Sequence, residues 1–275
     1  MTLEQIKEIL VKYNAVPKKS FGQNFLFDAA AIKKIIETAQ LSSDDIVLEI
    51  GAGVGNLTCE LAKTAGRVIA SENDRQMLTI LKTVFNKTNN VDIVDADILK
   101  FNELVLPKNY KIAANLPFYL AAPAIRKFLE SRNPPSLMAV IVQKEVGQRM
   151  AAKPPKMSLL AVSVQFYANV KIACYIAKNR FWPAPAVDAA IVKIVPRQLK
   201  TFKQNREIFF KIVRAGFSQP RKQLTNNLAK GLNMGKEEVE KWLIQQGIKP
   251  QTRAQTLNIE QWEKLTTSFS GKNVL

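Results

Sequence analysis

Histidine is absent from all 275 residues, and that absence excludes more chemistry than any single residue adds. Without an imidazole there is no Ser-His or Cys-His nucleophile and no ordinary zinc centre. Cysteine is nearly absent too. Cys59 and Cys174 alone cannot build a disulfide framework or a thiolate metal site. No apolar run approaches the ~20 residues of a membrane span. The N-terminal stretch is interrupted by Glu4, Lys7, Glu8 and Lys12, so it lacks the continuous apolar centre of a secretory signal and reads as a short amphipathic helix. The expectation is a cytoplasmic protein, monomeric, with no membrane and no metal among its partners.

Acidic residues are the other shortage. Only 23 Asp and Glu face 40 Lys and Arg, a net charge of +17 that points to a polyanionic partner. The excess is uneven. Residues 196–275 hold 15 basic and 6 acidic residues, whereas the first 195 hold 25 and 17, so the tail is much denser in positive charge.

The apolar pattern divides at the same place. Ile46–Ile50, Arg67–Ala70, Val91–Val94, Lys111–Ala114 and Leu137–Val142 are short β-rich runs separated by helix-length stretches such as Asn56–Lys63 and Asp74–Phe85. That alternation predicts an α/β fold with a parallel sheet covered on both faces. Val164–Ala173 and Ala190–Val195 read as later, antiparallel strands joined by a rigid loop at Phe181-Trp182-Pro183-Ala184-Pro185. After Pro196 only helical periodicity remains, punctuated by Gly231, Gly235 and Gly247. The predicted organisation is one α/β domain over 1–196 and a small all-α domain over 197–275.

Two loops carry the chemistry. Glu49-Ile50-Gly51-Ala52-Gly53-Val54-Gly55 follows a strand and opens a helix, where glycines let the backbone approach a nucleotide-like ligand. A dinucleotide fold would place its third glycine where Asn56 stands, and no Gly-Lys-Ser/Thr ending makes a P-loop. The Gly-x-Gly-x-Gly spacing with Glu49 before it resembles the glycine loop of S-adenosylmethionine methyltransferases. Glu72, at the end of the next strand, can accept hydrogen bonds from ribose hydroxyls or cap the helix that begins near Asp74. Asp97, with Ile98-Leu99 behind it, suits an adenine amine and its ring, with Asp95 as a competitor.

The second loop is Asn115-Leu116-Pro117-Phe118, just past the fourth strand of the sheet. An adenine amine is a poor nucleophile because its lone pair is delocalised into the ring. The Asn115 side-chain oxygen and the Leu116 carbonyl could hold both its N–H groups, Pro117 stiffens the turn, and Phe118 offers a face for a flipped base. Transfer from a sulfonium needs positioning more than a base, and the proton can leave to water. Phe181 could cover the other face of the base. A core plug is the alternative, with Trp182 the better candidate for it.

In order along the chain, Lys18-Lys19-Ser20-Phe21-Gly22-Gln23-Asn24-Phe25-Leu26, the glycine loop, Asn115–Phe118, Phe181–Asp188 and Ala215–Leu228 resemble the motifs of the rRNA adenine dimethyltransferase family, and of its KsgA branch in particular. The resemblance implies a Rossmann-like S-adenosylmethionine methyltransferase domain followed by a small all-α domain. It implies dimethylation of two adjacent adenosines in the terminal hairpin loop of small-subunit rRNA, within a pre-30S particle. It further implies cofactor contacts from Asn24, Leu26, Gly51, Gly53, Glu72, Asp97 and Asn115, and RNA contacts from Lys18, Lys19, Arg221 and Lys222. Phe118 stands where the family commonly has tyrosine, Ala189 replaces a serine, Pro220 a basic residue, and Met157-Ser158 a Tyr-Gly pair. An Erm-type large-subunit enzyme and a catalytically idle assembly factor are the competing expectations.

Overall fold

The computed structural model describes residues 1–197 and 205–272, with side chains through Phe269. They form two compact units, one of residues 1–147 with 169–196 and one of residues 148–168 with the chain from Arg197 onward.

The first unit is built on a seven-stranded sheet of order β4-β3-β2-β5-β6-β9-β7. Its parallel part comprises β2 (Ile46–Ile50), β3 (Arg67–Glu72), β4 (Val91–Asp95), β5 (Lys111–Asn115) and β6 (Leu137–Gln143). β9 (Ala189–Pro196) runs antiparallel to β6, and β7 (Ala168–Ile176) lies beyond it. The central strands are mostly apolar because helices shield both faces, and Val47, Leu48, Ala113 and Val140 are fully buried. β3 lies on one side of β2 and β5 on the other, so strand order reverses at the carboxyl end of β2, where open α/β sheets leave a crevice.

Helices α1 (Leu3–Lys12), α2 (Ala29–Ala39), α3 (Asn56–Ala62), α4 (Arg75–Val84) and α5 (Ala121–Glu130) belong to this unit. α1 begins with a complete capping box, Thr2 and Gln5 each bonding the other's backbone amide. α4 starts at Asp74, whose carboxylate accepts from the amides of Gln76 and Met77. A two-stranded ribbon pairs β1 (Phe25–Leu26) with β8 (Phe181–Trp182) in antiparallel register.

After α6 (Lys144–Met150), the second unit is helical: α7 (Leu159–Tyr167), α8 (Arg206–Gly216), α9 (Leu224–Leu232), α10 (Lys236–Gln245) and α11 (Ile259–Lys272). Phe166 packs on Phe209 with ring centroids 4.1 Å apart, and Trp242 and Trp262 are fully buried. Gly216 is needed for that packing, since a Cβ there would lie 2.6 Å from the Trp262 ring.

Two expectations are corrected. Val164–Tyr167 is helix, and the strand begins only at Ala168. Ser158 caps α7 through the Ala161 amide at 3.1 Å, and burial of Val162, Val164 and Phe166 overrides their β preference. Through the same contacts residues 148–168 join the helical unit rather than the sheet. Among the described residues no helix is long and apolar enough to cross a membrane, and no His, Cys, Asp and Glu cluster could hold a metal.

Candidate active site

The loop after β2 turns three times through backbone angles that favour glycine, with φ of +73° at Gly51, +59° at Gly53 and +87° at Gly55. Space demands glycine as well. A Cβ on Gly53 would come 2.9 Å from the Phe25 ring, and one on Gly55 2.5 Å from Phe85. The loop is held by Gly51 N donating to the Ser71 carbonyl at 2.8 Å and Gly53 N donating to Glu72 Oε2 at 2.8 Å. Glu72 Oε1 accepts from the amides of Asn73 and Asp74. The carboxylate thus locks the glycine loop and the turn into α4 together, and Oε2, with a single donor, retains a lone pair for a ligand.

Glu49, 2% exposed, accepts a 2.6 Å hydrogen bond from the Thr58 hydroxyl. Burial pushes its carboxyl up to about 8, and the Glu72 charge adds to the rise against the lowering effect of Thr58. At neutral pH it is a protonated acid in the wall of the crevice.

Residues 18–26 form a strap along this crevice, fastened at three points. Lys18 Nζ lies 2.6 Å from Asp74 Oδ2, Asn115 Nδ2 donates to the Asn24 carbonyl at 2.8 Å, and Asn56 Nδ2 donates to the Leu26 carbonyl. The middle bond determines how Asn115 points. A carbonyl only accepts, so the amide nitrogen must face Asn24 and the amide oxygen is left on the other side as an acceptor. Pro117 rests against Gly51, where a Cβ would stand 3.4 Å from its Cδ.

Strap, glycine loop and Asn115 turn enclose a cavity of about 260 Å³. It gathers Asn24, Leu26, Gly51, Gly53, Glu72, Asp97, Asn115, Leu116, Pro117 and Phe118, every cofactor candidate and four of the five catalytic candidates. Asp97 lines it and Asp95, exposed at the end of β4, does not.

A sequence model of the ribosomal RNA adenine dimethylases matches residues 15–270. The chain belongs to this family. Ribosomal RNA small subunit methyltransferase A of Dehalococcoides mccartyi is 41% identical over 273 residues, 98% of this chain and 94% of that protein. Its counterpart in Geobacillus kaustophilus is 39% identical over 277 residues, 96% of this chain and 94% of that one. Among solved structures, a dimethyladenosine transferase from Plasmodium falciparum superposes with a TM-score of 0.77 at 28% identity, covering 90% of this chain and 98% of its own. The 23S rRNA methyltransferase ErmE gives 0.74 at 25% identity, covering 90% and 100%.

As a dimethylase of this family the chain is an S-adenosylmethionine-dependent methyltransferase with a Rossmann-like fold, and the cavity fits that cofactor. Glu72 stands where ribose hydroxyls can be bound, Asp97 can accept from an adenine amine, and Ile98, 3% exposed, offers the ring an apolar wall. Asn56, whose Nδ2 is spent on the Leu26 carbonyl, lines the same cavity, and its buried Oδ1 has no hydrogen-bond partner among the described residues.

Other candidates are placed elsewhere. Phe181, expected to cover the target base, is 2% exposed in the sheet core and does not line the cavity. The β1–β8 register explains why. Phe181 pairs with Leu26 and faces the sheet core, while Trp182 pairs with Phe25 and leans on the cluster of Ile6, Leu10 and Met77, with Lys7 Nζ 5.6 Å from its ring. Lys18, expected on RNA, is bound to Asp74, whose side chain is fully buried. Burial would raise Asp74, but Lys18 and the two capping amides outweigh it and hold the carboxyl below its ordinary value. Lys19, within the strap, is exposed. Arg221 and Lys222 are exposed in the α8–α9 loop of the helical unit, which Asn227 fixes through the Gly216 and Gln219 carbonyls. Sequence reasoning missed Phe21 and Tyr119 as cavity residues. The signal available was an aromatic inside the first motif and another directly after Asn115–Phe118.

Proposed function

We propose that this chain dimethylates the N6 amines of two adjacent adenosines in the 3'-terminal hairpin loop of small-subunit (16S) rRNA, acting in the cytoplasm as a monomer on a maturing small-subunit particle. The observation that carries the reading is the orientation of Asn115, its nitrogen held by the Asn24 carbonyl and its oxygen left at the cavity wall. S-adenosylmethionine, when bound, supplies a methyl group activated by a sulfonium.

Asn115 Oδ1 and the Leu116 carbonyl accept the two N–H bonds of the target amine, drawing its lone pair out of the ring. Pro117, seated on Gly51, keeps that turn from giving way. Phe118, half-buried against the sheet core, stacks on the extruded base. No histidine exists to take the amine proton, so it passes to water. Arg221, Lys222 and Lys19 meet phosphates.

Small-subunit rRNA is favoured over the large subunit by the 41% identity to small-subunit enzymes, against 25% to ErmE. The test is mass spectrometry of rRNA from a strain lacking this protein. Dimethyladenosine should be missing from 16S rRNA, return on complementation with wild type, and stay missing with Asn115→Ala. Intact 16S dimethylation in the deletion strain, or rescue by Asn115→Ala, would overturn the assignment.

A further inference from the structure

We propose that Tyr119 is a stacking platform for the nucleobase adjacent to the adenine being methylated; the proposal rests on the rRNA reading above. Leu120 N donates to the Pro117 carbonyl at 2.8 Å and closes a tight turn with Phe118 and Tyr119 at its two central positions. Phe118 is half-buried and packs against the sheet core. Tyr119 lines the same cavity yet is 61% exposed, a combination that places its ring at the lip. The ring is not loose. A Cβ on Gly22 would lie 3.5 Å from its Cδ1 and 3.6 Å from its Cε1, so one side of the ring sits close against the strap where the backbone is left-handed (φ +61°).

One turn therefore offers two aromatic rings, one inside the cavity and one at its mouth. Extruding an adenine breaks its stacking on both neighbours, and each exposed neighbour needs a new surface. An aromatic ring provides one for any base, because every base has a π face and no hydrogen-bond pattern is read. Where two adjacent adenines are methylated in turn, the one waiting is the base next to the mouth. Lys19, two residues before the strap reaches Phe21 and exposed, supplies positive charge for the intervening phosphate.

The test compares wild type, Tyr119→Ala and Tyr119→Phe as full-length proteins on undermethylated small ribosomal subunits. Loss of one base–ring stack should raise the KM for RNA by about tenfold in Tyr119→Ala. The KM for S-adenosylmethionine should stay within about twofold, and Tyr119→Phe should behave as wild type. A hairpin carrying 2-aminopurine beside the target adenine should lose fluorescence on binding wild type and Tyr119→Phe, and keep it with Tyr119→Ala. An unchanged RNA KM with equal quenching would overturn the proposal, as would a selective rise in the S-adenosylmethionine KM. Failure of wild type to methylate the subunits would instead strike down the rRNA reading.

Discussion

Replacing Glu49 with glutamine keeps a side-chain oxygen for the Thr58 hydroxyl and removes a carboxyl that the fold lifts into the neutral range. The structure fixes both sign and window. Between the ordinary value of 4.5 and about 8, folded Glu49 holds its proton while the unfolded chain has released it. The native state then binds more protons, so stability falls as pH rises through this window and levels off above about 8. The slope is at most about 1.4 kcal/mol per pH unit. From pH 5.5 to 7.5 the wild type should therefore lose roughly 2–3 kcal/mol more than Glu49→Gln, or roughly 5–10 °C in melting temperature. The window is clean because the chain has no histidine, and Asp45, Asp74 and Glu103 are held below their ordinary values, so their contributions are lost only as pH falls through those lower values. Calorimetric melts of both proteins without cofactor, at half-unit steps from pH 5 to 8.5, measure the difference. Parallel curves across that range would refute the buried protonated acid.

Glu72→Ala should weaken S-adenosylmethionine binding by roughly 10–100-fold in titration calorimetry, since hydrogen bonds to a charged group are worth about 1.5–3 kcal/mol, and unchanged affinity would leave Glu72 a turn carboxylate only. Lys18→Met strands the buried Asp74 and should raise the S-adenosylmethionine KM while RNA affinity and its salt slope stay put. A slope smaller by about one unit would return Lys18 to the RNA surface. The double variant Arg221→Ala/Lys222→Ala should flatten the salt dependence of RNA binding by roughly 1.4 for single-stranded contacts. Its turnover at saturating RNA should match wild type, and an unaltered slope would remove both residues from the interface.

The readable parts of the sequence are those where a local constraint admits few residues. Gly51, Gly53 and Gly55 were legible as a ligand loop because left-handed angles and close contacts leave glycine as the fitting residue. Asn115–Phe118 was legible because its position after a buried strand gives it a place in the sheet. The stretch Val164–Tyr167 reads as strand because Val164 and the aromatics Phe166 and Tyr167 suit a strand as well as a buried helix, and contacts such as Phe166 on Phe209 decide between them. Phe181 lies in the sheet core rather than over the target base because a two-residue ribbon register, which no period in the sequence records, assigns each ring its side.

What the sequence determined by itself is the family resemblance, the order of the sheet-forming runs, the absence of imidazole chemistry and several of the residues that line the cavity. What the tertiary structure decided is which way those residues face and what holds them. Lys18 finds Asp74 across 56 residues and Asn115 finds Asn24 across 91. Such pairings follow from how the strap lies over the crevice, so Lys18, which the resemblance assigns to RNA, is paired with a buried carboxylate. Turn geometry likewise sends Phe118 inward and leaves Tyr119 at the lip. Local backbone preference is written in adjacent residues, whereas the partner of a side chain is set by packing between segments that the chain itself keeps far apart.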